Sequence, residues 1–310
     1  VVEAKGDVQV RADSLEDFLS ISAAIGAGGS TGIAGAVSWY DVSLTTEAIL
    51  ADRISGQTPE ETVEAPTVSA GGSVVISSFD DTEIDLVAGN GAFGGANGAG
   101  ASVGVTRIDK TTRAYIGEGV DVRARAQRGG VEVRTGDFDV DYTDNAADTG
   151  EISAPDTNVA ESDSQALDQQ RTVDAGTDPD FHGVAVTAVN QDDLETWVVA
   201  GSGAGGFAFS LAGAVNSLAA RTSAEIGAGA QINQFEAGDT DIGGEQSVLV
   251  AAGNDVYHLG LAVGIAGSGG FAGAPGFDVT LLSQGARAEI GDRARVRAAK
   301  DVSVTANAEG

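Results

Sequence analysis

Residues 89–94 read GNGAFG, directly behind the apolar run Ile84-Asp85-Leu86-Val87-Ala88. That is Gly-x-Gly-x-x-Gly after a strand-like segment, the spacing with which a dinucleotide-binding turn cradles a pyrophosphate. Whether these glycines hold a cofactor or shape the chain decides the fold. A cofactor turn occurs once per binding domain and opens a helix, with an acidic partner about 20 residues further on. Here the segment recurs, as GAGGSTG (Gly26–Gly32), GNGAFGG (Gly89–Gly95), GSGAGG (Gly201–Gly206) and GSGGFAG (Gly267–Gly273). An Ala-Gly-Ala tripeptide accompanies each, at Ala34–Ala36, Ala99–Ala101, Ala212–Ala214 and Ala272–Ala274. Small residues and β-branched strand material follow, not a helix. The glycines are read as architectural.

The recurrence has a register. AKGDVQVRA (Ala4–Ala12) resembles AKDVSVTA (Ala299–Ala306), and the same cue returns as GSVVISS (Gly72–Ser78), GVAVTA (Gly183–Ala188) and SVLVAA (Ser247–Ala252). Anchored on Val8, Val74, Val184, Val248 and Val302, the spacings are 66, 110, 64 and 54 residues. A second anchor set, Ala48, Ala114, Ala224 and Ala288, repeats the spacings 66, 110 and 64. The chain therefore divides into repeats at 1–71, 72–130, 131–246 and 247–300, with a fifth begun at 301–310. The third repeat carries an insertion of about 45 residues in a basic period near 65.

Strand signals dominate. Val8-Gln9-Val10-Arg11-Ala12, Val120-Asp121-Val122-Arg123-Ala124, Val131-Glu132-Val133-Arg134 and Val302-Ser303-Val304-Thr305-Ala306 alternate with period two. No segment sustains a 3.6-residue period, and glycine interrupts every apolar run, at a cost of about 1 kcal/mol each in a helix. The expected fold is all-β, a repetitive β-solenoid or parallel β-helix, with an array of small β-sandwich repeats as the alternative. A 65-residue unit is expected to wind about three coils of ~20 residues and to add ~14 Å of length.

Composition narrows the function. Of 310 residues, 46 are Asp or Glu and 17 are Lys or Arg, a net charge of −29 that should repel nucleic acid and anionic lipid. The acidity favours cation binding and fits life in high salt or sea water. There is no Cys, which excludes disulfides, thiolate metal sites and cysteine nucleophiles. Without Met, and starting Val1-Val2, the chain reads as a fragment or processed product. Thr196–Ala220, Val87–Thr106 and Leu259–Phe277 are long enough to span a bilayer. Their Gly, Ala, Ser and Asn would gain little from lipid, so membrane insertion is not expected.

Thr143–Asp180 holds ten acidic residues and one Arg without apolar periodicity, and reads as a solvated excursion. Ser55–Gly71 and Asn233–Gln246 read as shorter ones. DFDVDYTDNAAD (Asp137–Asp148) sets oxygens at Asp137, Asp139, Asp141, Asp144, Asn145 and Asp148, the hard donors that Ca²⁺ prefers. It departs from an EF-hand loop, with Tyr142 at the sixth position and Asp148 at the twelfth. The competing reading is an edge strand with Phe138, Val140 and Tyr142 on the other face. His182 and His258 have no companion at metal-ligand spacing. The acidic pairs Asp80-Asp81 and Asp192-Asp193 would suit a glycosidase, but among 46 carboxylates chance pairs are expected. No catalytic residue and no resident organic cofactor is assigned.

The order V-x-V-x-A, Gly-rich segment, A-G-A, T-x-A-x-I-G, V-x-V resembles the repeats of large bacterial surface and secreted proteins, the leukotoxin-type filamentous adhesins and filamentous haemagglutinin-like exoproteins. TTRAYIGEGVDVRARA (Thr111–Ala126) and TSAEIGAGAQI (Thr222–Ile232) carry it best. The resemblance covers all four repeats except the insertions. It implies secretion or a place at the bacterial surface, a rod-like solenoid, and a role in adhesion or in building a biofilm matrix. The acidity and the long insertion lie outside the pattern, so host-cell binding and toxicity are not carried over. Copies of the chain itself are the expected partners, with carbohydrate or a cell surface as further candidates.

Overall fold

A computed structural model describes residues 1–51, 66–144, 169–236 and 241–310. The chain winds as a β-solenoid whose turns are built alike. The first turn comprises β1 (Val2–Ala4), β2 (Val8–Gly28) and β3 (Thr31–Leu50), and the second β4 (Thr67–Ala70), β5 (Val74–Gly94) and β6 (Asn97–Ile116). The third opens with β7 (Asp121–Ala124), leaves the stack as a hairpin of β8 (Val131–Asp144) and β9 (Gln169–Phe181), and resumes with β10 (Gly183–Ala204) and β11 (Phe207–Ile226). The fourth holds β12 (Gln231–Ile232), β13 (Ser247–Ser268), β14 (Phe271–Gly273) and β15 (Gly276–Ile290). A fifth begins with β16 (Arg295–Val296) and β17 (Val302–Glu309).

Three parallel sheets result. The short strands stack in the order β1-β4-β7-β12-β16, the first long strands as β2-β5-β10-β13-β17, and the second long strands as β3-β6-β11, capped by β14 and β15. Val8 pairs with Val74, Val74 with Val184, Val184 with Val248 and Val248 with Val302, so like residues form a column. Ala48, Ala114, Ala224 and Ala288 form another. Each 65-residue period is thus one turn, not three coils, and adds one strand spacing of roughly 4.8 Å. The expectation of three coils fails because each turn has a single Gly-rich arch, and the long strands on either side of it run unbroken. β2 runs uninterrupted for 21 residues and β10 for 22.

The glycines instead form the arch where the chain folds back from one long sheet to the other. At Gly94, a Cβ would sit 1.8 Å from the Asn97 carbonyl oxygen, so the sheets meet there backbone to backbone. The Ala-Gly-Ala tripeptides are out of register: Ala34 pairs with Gly100, and Gly100 with Ser210. What the column requires is a small residue, not a fixed order.

Inside, the long sheets face each other and the layers change along the strand. At the base, Val74, Ile76, Val122, Val184, Ala224 and Ile226 belong to one apolar core enclosed by all three sheets. Ile84, Ile108, Leu194 and Leu218 form a second cluster, and Leu86, Ala88, Val198 and Ala212 a third, nearer the arch. Side chains shrink as the sheets converge. The three long uncharged stretches run through the arches. The inner faces of Val87–Thr106 and Thr196–Ala220 are buried as expected, Leu259–Phe277 is only partly buried, and Phe93, Val199, Ile265 and Phe271 stand exposed. Among the described residues no helix is long and apolar enough to cross a membrane.

The expected excursion at Thr143–Asp180 is in its described part half a β-hairpin. β9 pairs antiparallel with β8, as in Val140 with Val173 and Asp144 with Gln169. The hairpin lies on the outer face of the first long sheet, where Val131, Val133 and Phe181 cover Val75 and Ala185. The acidic composition hid these strands because the apolar residues that dock the hairpin sit at its base. The segment read as a short insertion at Ser55–Gly71 likewise contains β4, a rung of the stack. Asn233 and Gln246, at the ends of the third, are buried, and the Asn233 side chain accepts from the Ala124 amide at 2.9 Å.

Candidate functional site

Between the basal core and the second apolar cluster the interior turns polar. Alternation along β6 points Ile108, Lys110, Thr112 and Ala114 inward. Lys110 is therefore committed to the core by its strand, and its side chain is 1% exposed. It meets two carboxylates of the facing sheet, Asp80 on β5 and Asp192 on β10, with side chains 0% and 2% exposed. Nζ lies 2.6 Å from Asp192 Oδ1, donates to Thr82 Oγ1 at 2.7 Å, and is in direct contact with Asp80 Oδ1. An ammonium has three donors, and all three are used.

The carboxylates are held in turn. Thr46 Oγ1 on β3 donates to Asp80 Oδ2 at 2.8 Å, and Thr82 Oγ1 lies 3.2 Å from Asp80 Oδ1. Asn190 Nδ2 donates to Asp192 Oδ2 at 2.6 Å and to Asn254 Oδ1 at 2.9 Å. Asn254 then donates to the Ala220 carbonyl, so the polar belt reaches from the second turn into the fourth. Two carboxylates face one cation. Burial pushes the Asp192 carboxyl above its ordinary range, while Lys110 works in the opposite direction. The charge left uncompensated is costly so far from water.

The acidic pairs of the sequence are split by the pleat. Asp80 and Asp192 point into the core, whereas Asp81 and Asp193 point outward. Outside, like charges stack: Asp17 beside Glu83, Glu83 beside Asp193, and Asp85 beside Glu195. Asp81, Glu83, Gln191, Asp193 and Asp255 line a shallow acidic pocket against Val173 of the hairpin. Partial desolvation raises Asp81, Glu83 and Asp85, and neighbouring carboxylates, among them Asp85 beside Glu83 and Glu195 beside Asp85, add to it.

Of the oxygens expected to favour Ca²⁺, Asp137, Asp139, Asp141 and Asp144 lie along β8. Asp137 accepts from Asn307 Nδ2 at 2.6 Å, and Asp139 is paired with Asp174. Asn145 and Asp148 lie outside the described residues. Among the described residues no three His, Asp or Glu side chains converge as a metal site. His182 lies 3.4 Å from Asp180. His258 points inward, with Nδ1 against the Leu194 carbonyl at 3.0 Å and Nε2 2.7 Å from Thr280 Oγ1. A hydrogen bond to that carbonyl requires the proton on Nδ1.

The lysine centre was missed in the sequence, although a signal existed. Lys110 shares the parity of Ile108 and Ala114, which marks it as inward. Its partners lie on another sheet, 28 to 82 residues away, and no local pattern finds them. Compared with protein-family models, with curated proteins and with solved structures, the chain finds no match.

Proposed function

We propose that the chain is a segment of an extracellular fibre or adhesin at a bacterial surface, a rod in which turns stack or continue head to tail. One observation carries this reading: equivalent residues stay in register through four turns and into a fifth, across spacings from 54 to 110 residues. A stack of that kind grows by repetition and leaves strand edges that another copy can extend. The role is mechanical, without turnover, and the partners are further copies of the chain and the matrix or carbohydrate surface it joins. The acidic face supports a secondary role for Ca²⁺, either there or along Asp137–Asp148, as a bridge between rods or to a polyanionic surface.

Electron microscopy and fibre diffraction of the purified chain, with millimolar Ca²⁺ and after chelation, test the reading. Filaments with a meridional spacing near 4.8 Å are expected. Monomers in both conditions at high concentration would rule out head-to-tail stacking. Filaments unaffected by chelation would remove the calcium role and leave the rod.

A further inference from the structure

We propose that Lys110 and Asp80 condense to a side-chain amide that covalently joins the two long sheets, with Asp192 as the proton carrier. The three groups are sealed from water and already in contact. A lysine amine is a nucleophile only when neutral, and a buried site favours its loss of a proton to a neighbouring carboxylate. Asp192 Oδ1, 2.6 Å from Nζ, is placed to take that proton. Asp80 is placed as the acyl group, because the Thr46 and Thr82 hydroxyls contact its two oxygens, at 2.8 and 3.2 Å. Hydrogen-bond donors so placed stabilise the charge that develops on oxygen when the carbonyl is attacked.

The step balances without any other reactant. The Nζ lone pair attacks Cγ of the protonated Asp80 carboxyl, and an N–C bond forms. Asp192 accepts a proton from Nζ and returns one to the departing hydroxyl. The C–O bond breaks, one water leaves, and Asp192 keeps the second of the two protons that the ammonium has lost. Nothing is oxidised or reduced. The enclosed site disfavours the reverse reaction because it excludes the water that hydrolysis needs. The product replaces a buried ion pair by a neutral amide and ties β5 to β6 across the interior.

The intact mass of the full chain, denatured after purification, tests this. A linked chain is lighter than its 30.9 kDa sequence mass by one water, about 18 Da. After proteolysis, the peptides carrying Lys110 and Asp80 should run as one branched species. Asp192→Asn should fold, by circular dichroism, and keep the full sequence mass, as should Lys110→Met. An unmodified wild-type mass overturns the proposal. So does a water loss confined to a single peptide, as from a cyclised aspartyl, or a branch from Lys110 to Asp192. Water loss in Asp192→Asn would overturn the proton-carrier role.

Discussion

Val74 and Val184 are hydrogen-bonded neighbours in one sheet although 110 residues separate them, and the hairpin of the third turn lies wholly between them. The stack closes around this insertion without a shift of register. Asp144 and Gln169 are the last described pair of that hairpin. Replacing residues 145–168 by a two-residue Asn-Gly turn, which suits the twist of paired strands, is therefore expected to leave the melting temperature within about 2 °C. Removing the whole hairpin uncovers Val75 and Ala185 and is expected to lower it by more than about 5 °C. Differential scanning calorimetry of both variants separates the docking base from its extension.

The acidic face sets a pH dependence with a definite sign. Asp81, Glu83, Asp85 and the buried Asp192 all have carboxyls raised above their ordinary values in the folded chain. Among the described carboxyls, the exposed Glu245, lowered by its hydrogen bond from Lys300, works the other way. A raised carboxyl means that the native state holds protons the unfolded chain has released. Stability is then lost as pH rises from the ordinary carboxylate range through the raised values. The chain is expected to melt higher at about pH 5 than at about pH 7.5, with millimolar Ca²⁺ or added salt narrowing the gap by screening Asp17, Glu83, Asp85 and Glu195. A melting temperature that falls on this mild acidification would contradict the account.

The corner after the second long strand uses a left-handed residue in the second, third and fourth turns. It is Gly119 in the second turn and Gly229 in the third, each at φ +69°, but Arg293 at φ +60° in the fourth. An L-residue there is strained by roughly 1–2 kcal/mol. Arg293→Gly is expected to stabilise the chain by about 0.5–1 kcal/mol, net of the added freedom of the unfolded state, in urea titrations. Gly119→Arg should cost a similar amount.

The arch has the opposite tolerance. Gly94→Ala places a methyl group against the Asn97 carbonyl and must push the sheets apart. A loss above about 2 kcal/mol is expected, or failure to accumulate as folded protein. Gly29→Ala, in the arch of the first turn but with open space around the position of its Cβ, is expected to be neutral within about 0.5 kcal/mol by the same titration.

Lys110→Ala strands Asp80 and Asp192 together in the core. An unfolding cost of about 3–5 kcal/mol is expected in denaturant titrations. The triple variant Asp80→Leu, Lys110→Met, Asp192→Leu should recover most of it, because apolar groups of similar volume need no partner.

Much of this fold was legible without coordinates. The repeat anchors at Val8, Val74, Val184 and Val248 are true neighbours, because a parallel stack places like residues in one column and so writes its register into the sequence. The all-β class followed from period-two alternation and from glycines too frequent for helix. The length of a turn was not legible. Nothing local says whether a Gly-rich segment bends the chain or continues a strand, and only the convergence of two sheets at Gly94 turns glycine into an arch. The docked hairpin was hidden for a similar reason, since Val131 and Phe181 gain apolar partners only once Val75 and Ala185 are stacked beneath them. Parity alone sent Lys110, Asp80 and Asp192 inward. That they meet was decided by tertiary structure, because the facing of the two sheets sets a cation between two carboxylates that the chain keeps far apart.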